Sequence, residues 1–269
     1  MKRTSITQKL IGLATLVGLL TVSGVAVAQE SEPSVVTVFH AVPAEDGFPA
    51  DVYLDGDLII DGFVFESSSD SFELAAGDYD LEIFAEGADP DSDSPAVTAT
   101  VTLEEGANYS MVAQLSDGAP VVSLFENDTS GVGPGEARLT FRQTSDAAGL
   151  DLSIDGEPVF SNISSTSESS TELEAGDVQL AISGESGESL FDRQVALSDG
   201  MLTVIYAVGQ PGEDSFDLLV QEVLIPQVAP SGVPTGTGGI KATGIPYTGW
   251  YLLPLGMLVA SFWVERRME

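Results

Sequence analysis

Apolar and polar residues alternate with a period of two along much of the chain. The apolar residues of Val97–Leu103 alternate with threonines, and those of Tyr79–Ile83 and Val178–Ile182 alternate mainly with polar residues. Successive side chains of a β-strand point to opposite faces, so this pattern predicts half-buried strands. Between the apolar segments at the two chain ends, no stretch has a convincing helical period. The pattern therefore predicts an all-β fold.

The same order of strands and turns is written twice. The stretch DVYLDGDLIIDG begins at Asp51 and is matched by DLSIDGEPVFSN from Asp151. Further on, Ala76–Asp78 in the first copy is matched by Ala175–Asp177 in the second. Order and spacing hold over roughly 90 residues, which indicates two copies of one domain.

Paired turn residues separate the predicted strands. Asp55-Gly56 and Asp155-Gly156 each lie between apolar runs, where a tight hairpin needs positive φ. Each copy holds about seven or eight short strands, with turn signals roughly every 8–12 residues. The sequence therefore predicts two tandem antiparallel β-sandwiches of the immunoglobulin-like class.

Composition shifts set the predicted domain bounds. We assign residues 34–126 to the first sandwich, 137–223 to the second, and 127–136 to a glycine-rich linker. The linker glycines do not predict a phosphate loop, because no helical pattern follows and no lysine is near. Residues 224–244 are rich in Pro, Gly and Thr and predict an extended stalk with a reach of about 65 Å.

The opening of the first copy resembles a known family. It reads VTVFHAVPAEDGFPADVYLDG from Val36 to Gly56 and is similar to the bacterial domain-of-unknown-function family 4397. The resemblance covers about Ser34 to Glu126 and implies an exported β-sandwich with no assigned reaction. In the second copy, Arg142 stands where the family has histidine. The matching residues are His40, Ala41, Pro43, Asp51, Val52, Tyr53, Asp55 and Gly56.

The strong excess of acidic residues limits the binding partners that we expect for this protein. The 269 residues carry a formal net charge of −33, with nine Lys and Arg against 42 Asp and Glu. Gln29 to Glu136 contains no Lys or Arg at all. We therefore expect no nucleic-acid partner, since phosphate binding needs clustered cations. The chain has no cysteine, so an exported fold must be stabilised by burial alone.

The first 28 residues have the three parts of a secretory signal peptide. MKRTSITQK is basic, Leu10 to Val22 is mostly apolar, and Ala26-Val27-Ala28 is a small-residue cleavage site. The apolar run is short for a membrane-spanning helix. We therefore expect export.

The C-terminal end resembles the cell-wall sorting signal that sortases recognise. Ile245-Pro246-Tyr247-Thr248-Gly249 fits the Leu-Pro-x-Thr-Gly pentapeptide, except that isoleucine replaces the leading leucine. An apolar segment from Trp250 to Val264 and the basic pair Arg266-Arg267 follow. The resemblance implies cleavage after Thr248 and transfer to the wall. The alternative is an ordinary membrane anchor helix over the same residues 245–269. Either way, the expected partner here is a sorting transpeptidase or the membrane, and the expected location is the outer face of the envelope.

Candidate chemistry is sparse. His40 is the only histidine, and no Gly-x-Ser-x-Gly elbow accompanies it, so we expect it to stabilise a turn. Asp89, Asp91 and Asp93 alternate in ADPDSDSPA, and hard cations such as calcium favour clustered oxygens. The EF-hand pattern fails there, so a solvated acidic loop is the main interpretation and calcium the minor one.

Two classes of function follow from the sequence. The first is an envelope-tethered surface protein without a cofactor, whose sandwiches act as a binding or spacer module toward an extracellular protein or glycan. The second is an exported hydrolase that uses paired carboxylates, for example on glycans. The two differ in one structural feature, since a hydrolase needs two acids in a concave pocket.

Overall fold

A computed structural model of the chain describes residues 31–43, 49–211 and 215–228, and all of its regular elements there are strands. The all-β fold class with tandem sandwiches is thus confirmed. The predicted signal peptide, most of the predicted stalk and the whole predicted sorting signal lie outside the described residues. Nine strands form the first sandwich: β1 (Ser34–His40), β2 (Ala50–Leu54), β3 (Asp57–Phe63), β4 (Ser67–Ser68), β5 (Phe72–Leu74), β6 (Gly77–Ala85), β7 (Val97–Leu103), β8 (Asn108–Ser116) and β9 (Ala119–Glu126).

Eight strands form the second sandwich, and they follow the order of the first. Where the first copy has the two short strands β4 and β5, the second has one continuous strand, β13. The strands are β10 (Glu136–Gln143), β11 (Leu150–Ile154), β12 (Glu157–Ile163), β13 (Ser167–Glu174), β14 (Gly176–Gly184), β15 (Ser189–Leu197), β16 (Met201–Val208) and β17 (Asp217–Leu224).

The strands make four sheets, two in each sandwich. Sheet I has the order β4-β1-β8-β9, with β5 also paired to β1, and sheet II has the order β3-β2-β6-β7. In the second sandwich, sheet III is β13-β10-β16-β17 and sheet IV is β12-β11-β14-β15. The matching order in the two copies confirms the internal repeat.

Three hydrophobic cores separate the four sheets. Sheets I and II enclose the first core, which includes Val38, Leu81 and Met111, and sheets III and IV enclose an equivalent second core. A third core, named here the interface core, joins sheet I to sheet III. Its buried members are Phe39, Ala41, Val112, Phe125, Val132, Leu202, Val204, Tyr206, Val208, Val223 and Ile225. The layers therefore follow the order II, I, III, IV.

The central strands are buried on both faces because of this layering. In β8 every residue from Asn108 to Leu115 is buried, and β16 is buried from Leu202 to Val208. In β8, NYSMVAQLS, polar and apolar residues still alternate, with buried Asn108, Ser110 and Gln114 on the same face as Val112 of the interface core, whereas β16, MLTVIYAV, is almost entirely apolar. A strand with apolar neighbours on both faces reads as a continuous apolar run.

Each sandwich contains one parallel strand pair, which the prediction of antiparallel sandwiches did not include. Strand β1 pairs in parallel with β8, and β10 pairs in parallel with β16. The two members of each pair lie far apart in sequence, so no tight hairpin forces them to be antiparallel. All other pairings between named strands are antiparallel.

The two Asp-Gly pairs form equivalent hairpin turns, as the sequence predicts. Asp55 and Gly56 have φ values of 50° and 81°, and Asp155 and Gly156 have 52° and 83°. Positive φ at both central residues matches the twist of the flanking strands. These turns join β2 to β3 and β11 to β12.

The predicted linker and the start of the predicted stalk are packed parts of the fold. Val132 in the linker is 1% exposed, and Ile225 beyond β17 is 3% exposed. Both belong to the interface core. Residues 225–228 therefore differ from the predicted extended stalk, because apolar Ile225 is buried against both sandwiches.

Candidate functional site

The family-like residues of the first copy stabilise turns. Both oxygens of the buried Asp51 carboxylate accept hydrogen bonds, from the backbone N–H groups of Gly62 and Gly87 at 2.9 Å each. The Asp55 carboxylate accepts from the Asp80 backbone N–H at 2.8 Å, which closes the first hairpin against β6. These carboxylates satisfy backbone donors that bulges and turns leave without a strand partner.

The second copy repeats these contacts at matched positions. Asp151 accepts from the Asn162 backbone N–H, and Asp155 accepts from the Gln179 backbone N–H at 2.9 Å. The Asp-x-x-x-Asp-Gly spacing thus encodes the bulge and the turn of one hairpin. The shared acids have a structural role in each copy.

His40 lies at the end of β1, and its equivalent in the second copy differs from the residue that the sequence predicts. Its backbone carbonyl accepts from the Glu66 N–H at 3.0 Å, and the Gln143 carbonyl accepts from the Thr166 N–H at 2.9 Å. His40 is therefore equivalent to Gln143. The prediction that Arg142 takes the histidine position was wrong by one residue, because sequence spacing alone could not register β10 against β1.

The environment of His40 is apolar. The imidazole is 4% exposed and lies edge-on to the Phe63 ring, with 5.7 Å between ring centroids. Its counterpart Gln143 folds back on the following turn, where its side-chain oxygen accepts from the Ser145 backbone N–H and hydroxyl at 3.1 and 2.9 Å. In the second copy, the residue at the end of the first strand, Gln143, thus stabilises the turn that follows β10.

An acidic groove runs over the outer face of sheet II. It is open to solvent and is lined by Asp55, Asp80, Glu82, Thr98 and Thr100. The Asp80 carboxylate accepts from the Thr100 hydroxyl at 3.0 Å, so this pair links β6 to β7. This groove is where the first sandwich brings several acids together.

The three aspartates of the acidic loop bond to their own loop. The Asp89 carboxylate accepts from the Asp91 N–H at 3.1 Å and from the Ser92 hydroxyl at 3.0 Å. The Asp93 carboxylate accepts from the Asp89 N–H at 2.9 Å. Within the described ranges, no group of three or more His, Cys, Asp or Glu side chains is disposed to hold a metal ion. Calcium binding at this loop stays a prediction.

A polar network crosses the interface core, and Arg142 lies at its centre. Arg142 is 1% exposed, yet its Nε donates to Glu168 at 2.7 Å and its Nη1 donates to the Tyr206 hydroxyl at 2.8 Å. Its guanidinium carbon also lies 4.7 Å from the centroid of Phe125, which belongs to the other sandwich. A buried guanidinium needs such partners, because an unpaired charge in an apolar interior is costly.

Two side chains extend this network between the sandwiches. The Gln221 side-chain oxygen accepts from the Tyr206 hydroxyl at 2.7 Å and from the Ser110 hydroxyl at 2.9 Å. Ser110 belongs to β8 and Gln221 to β17, so this bond joins the two copies directly. Burial raises the pKa of Tyr206 above its ordinary value, and the nearby Arg142 charge opposes part of that shift.

A second arginine attaches the linker to the second sandwich. Arg138 Nη1 donates to the backbone carbonyls of Asp128 and Ser130 at 2.8 and 2.7 Å. Its Nη2 contacts Glu172 at 2.8 Å. Hydrogen bonds from Ser130, first from its side chain and then from its backbone, together with the Arg138 charge, lower the pKa of Asp128.

The sequence did not predict this interface. One signal was the pair Arg138 and Arg142 in the single strand EARLTFRQ, in a chain with few basic residues. Glu168 and Glu172 face them from β13. Residues four apart lie on the same face of a strand. The equal spacing of the two arginines and the two glutamates could therefore have indicated that β10 pairs with β13.

The predicted sorting motif, Ile245 to Gly249, lies outside the described residues. Among the residues described, there is no helix of the length and apolarity that a membrane crossing requires.

Comparison with known families agrees with the sequence resemblance. Residues 34–153 match the family described as Domain of unknown function (DUF4397). This segment is somewhat less than half of the chain, and its match confirms the predicted resemblance. The match runs from β1 to within β11 and so includes the start of the second copy.

Comparison with curated proteins and solved structures adds little. No curated protein matches this sequence. The chain is similar to a solved structure described as a "putative cell adhesion protein" from Bacteroides fragilis, at 11% identity and a TM-score of 0.19. The similarity covers 68% of this chain and 86% of that one. At this TM-score the likeness supports no inference about function.

Proposed function

We propose that this protein is an exported surface protein, held at the outer face of the cell envelope by its C-terminal tail. Its two sandwiches act together as one rigid binding or spacer module, and not as an enzyme. Export rests on residues 1–28, and retention rests on residues 245–269, whose apolar segment and basic end resemble a sorting signal.

The interface core is the observation that supports a rigid module most strongly. Phe39 of the first sandwich stacks on Tyr206 of the second, with 4.4 Å between ring centroids and 28° between ring planes. Packed aromatic contacts of this kind add to area burial by about 0.5–1.5 kcal/mol. Two copies that share such a core move as one body, which suits a module that must hold a fixed shape away from a surface.

The acidity of the chain also supports this proposal. A net charge of −33 keeps neighbouring copies apart and soluble at a crowded surface. On sheet II, the Asp78 carboxylate accepts from the Thr102 hydroxyl at 2.7 Å, and Asp80 bonds Thr100 similarly. These acids serve the cohesion of an outer, solvated sheet.

Cell fractionation tests the tether. The unaltered protein should stay with the wall fraction, while Thr248→Ala should become extractable with detergent. Equal detergent extraction of both forms would reduce the tail to a membrane anchor. Release of the protein into the medium with both ends intact would overturn the tethering proposal.

The groove on sheet II allows a direct test against the hydrolase alternative. Glu82 and Asp80 lie in the same open groove, as paired carboxylates of a glycoside hydrolase would. We expect the purified protein to leave a panel of wall and surface glycans uncut. Hydrolysis that disappears in both Asp80→Asn and Glu82→Gln would overturn the non-catalytic proposal.

A further inference from the structure

The chain leaves the second sandwich through a short attached segment. After β17 ends at Leu224, Ile225 is buried in the interface core, and Gln227 forms a parallel bridge with Val132 of the linker. Residues 225–228 together with Gly131 and Val132 are named here the C-terminal clip. The predicted stalk, residues 224–244, continues beyond the clip toward the predicted anchor at residues 245–269.

Backbone hydrogen bonds hold both sides of the clip. The Val132 N–H donates to the Pro226 carbonyl at 3.0 Å, and the Val228 N–H donates to the Val132 carbonyl at 2.8 Å. The Ile225 N–H donates to the Gly200 carbonyl at 3.0 Å, in the turn between β15 and β16. Three separate backbone bonds thus fasten a segment only four residues long.

Close packing makes the clip specific for glycine at position 131. A Cβ atom on Gly131 would lie 2.7 Å from the Pro226 carbonyl oxygen and 2.8 Å from Val228 Cγ1. The first of these is a backbone atom, so a side chain here requires the two segments to separate. A larger residue at Gly131 would open the clip without touching either sandwich core.

Asp199 couples the clip to the rest of the second sandwich. Its carboxylate accepts from the Gln227 side-chain amide at 2.8 Å and from the Gly135 backbone N–H at 2.9 Å. One acid in the β15–β16 turn thus contacts the exit segment and the linker together. The exit segment is therefore attached to two places that lie outside β17.

We propose that the C-terminal clip is a force-bearing device that distributes tension from the tail over both sandwiches. This inference rests on the proposed tether, because a tail fixed to an envelope places its load at Val228. Without the clip, that load would act first on β17, an edge strand that pairs only with β16. With the clip, the load reaches Val132, which lies between the two copies and is buried in their shared core.

Pulling single molecules by their ends tests the proposal without any cell. The chain has no cysteine, so Ser31→Cys and Ser231→Cys give unique attachment points. Gly131→Val should open the clip and add an early, low-force step. Release of residues 217–228 would lengthen the chain by about 40 Å at the extension of a stretched peptide. At a fixed force, we expect the rate of this first step to rise about tenfold or more.

Matched variants distinguish the clip from general destabilisation. Thr129→Val places valine at a linker position that is already β-branched and lies outside the clip, so this variant should pull like the unaltered chain. Gln227→Ala removes only the amide donor to Asp199 and should give a smaller increase in the same early step. If Gly131→Val does not fold, Gln227→Ala alone decides the result.

Identical traces for the unaltered chain and both clip variants would overturn the proposal. An early step already dominant in the unaltered chain would do so as well, because β17 would then be the first element to carry load. Failure of the fractionation test with normal pulling traces would instead refute only the tether.

Discussion

Arg142 and Phe125 belong to different sandwiches, yet the guanidinium carbon of Arg142 lies 4.7 Å from the centroid of the Phe125 ring. The same guanidinium is hydrogen-bonded to Glu168 and Tyr206. This cation therefore stacks on a ring of sheet I while its hydrogen bonds attach it to β13 and β16 of sheet III. Arginine suits this position because its planar group stacks and donates at once.

Replacement of Arg142 should destabilise the whole molecule. Arg142→Met removes the stacked cation and leaves Glu168 and the Tyr206 hydroxyl without their donor. We expect a loss of about 3 kcal/mol in the free energy of unfolding, at the low end for a buried pair because Glu168 is partly exposed. Denaturant unfolding measures it. Arg193→Met is the control, since Arg193 stacks on Phe191 at an exposed position, and should cost less than about 1 kcal/mol. Equal losses in both variants would contradict the role of Arg142.

Replacement of Gln114, unlike that of Arg142, should not destabilise the protein. It is fully buried on β8, and neither of its amide atoms has a hydrogen-bond partner within the described part of the chain. A buried amide without partners costs free energy, so Gln114→Met should be neutral or stabilising by about 1 kcal/mol. Gln221→Met is the matched control and should be destabilising, because Gln221 accepts from Ser110 and Tyr206. Thermal melts should therefore show a lowered melting temperature for Gln221→Met and an unchanged or raised one for Gln114→Met. A large loss in Gln114→Met would mean that its amide has an essential partner.

The hairpin aspartates can be tested in both copies. Asp55→Ala removes the acceptor of the Asp80 N–H and leaves alanine at a φ of 50°, so we expect a loss of about 1–2 kcal/mol. Asp55→Asn keeps an acceptor and tolerates that φ, so its loss should be small. The same two substitutions at Asp155 should behave alike. If the alanine and asparagine variants were equally stable, the side-chain acceptor at this position would not stabilise the turn.

The raised pKa of Tyr206 predicts how stability changes in alkaline solution. Burial favours the neutral hydroxyl in the folded chain, while the unfolded chain loses this proton near pH 10.0. The stabilising contribution is therefore fully present below pH 10.0 and falls as pH rises toward the folded pKa. Tyr206→Phe should reduce the slope of stability against pH above 10, as followed by denaturant unfolding. An unchanged slope would show that the Tyr206 hydroxyl is not sequestered.

The outer parts of the fold could be predicted from local sequence patterns, as β7 and the two Asp-Gly turns illustrate. Strand β7 alternates because threonines face solvent from sheet II, and positive φ limits the choice of residues at the turns. Strand β16 does not alternate, since another sheet covers each of its faces. Its long apolar run was one available sign of a four-layer arrangement.

The interface could not be derived from local pattern, because it depends on pairing between distant residues. Phe39 and Tyr206 are ordinary apolar positions in their own strands, and nothing near either of them specifies the other. The packing of the predicted linker depends on distant residues in the same way. Its glycines indicate a linker in isolation, but Val132 is buried and forms two backbone hydrogen bonds that hold the linker against the exit segment.

The interface core makes the two sandwiches into one cooperative folding unit, and calorimetry can measure this coupling. We predict a single unfolding transition whose calorimetric enthalpy equals its van't Hoff enthalpy, because neither sandwich can unfold without exposing the shared core. Arg142→Met should broaden this transition or split it. Two well-separated transitions in the unaltered chain, each unaffected by Arg142→Met, would contradict the claim.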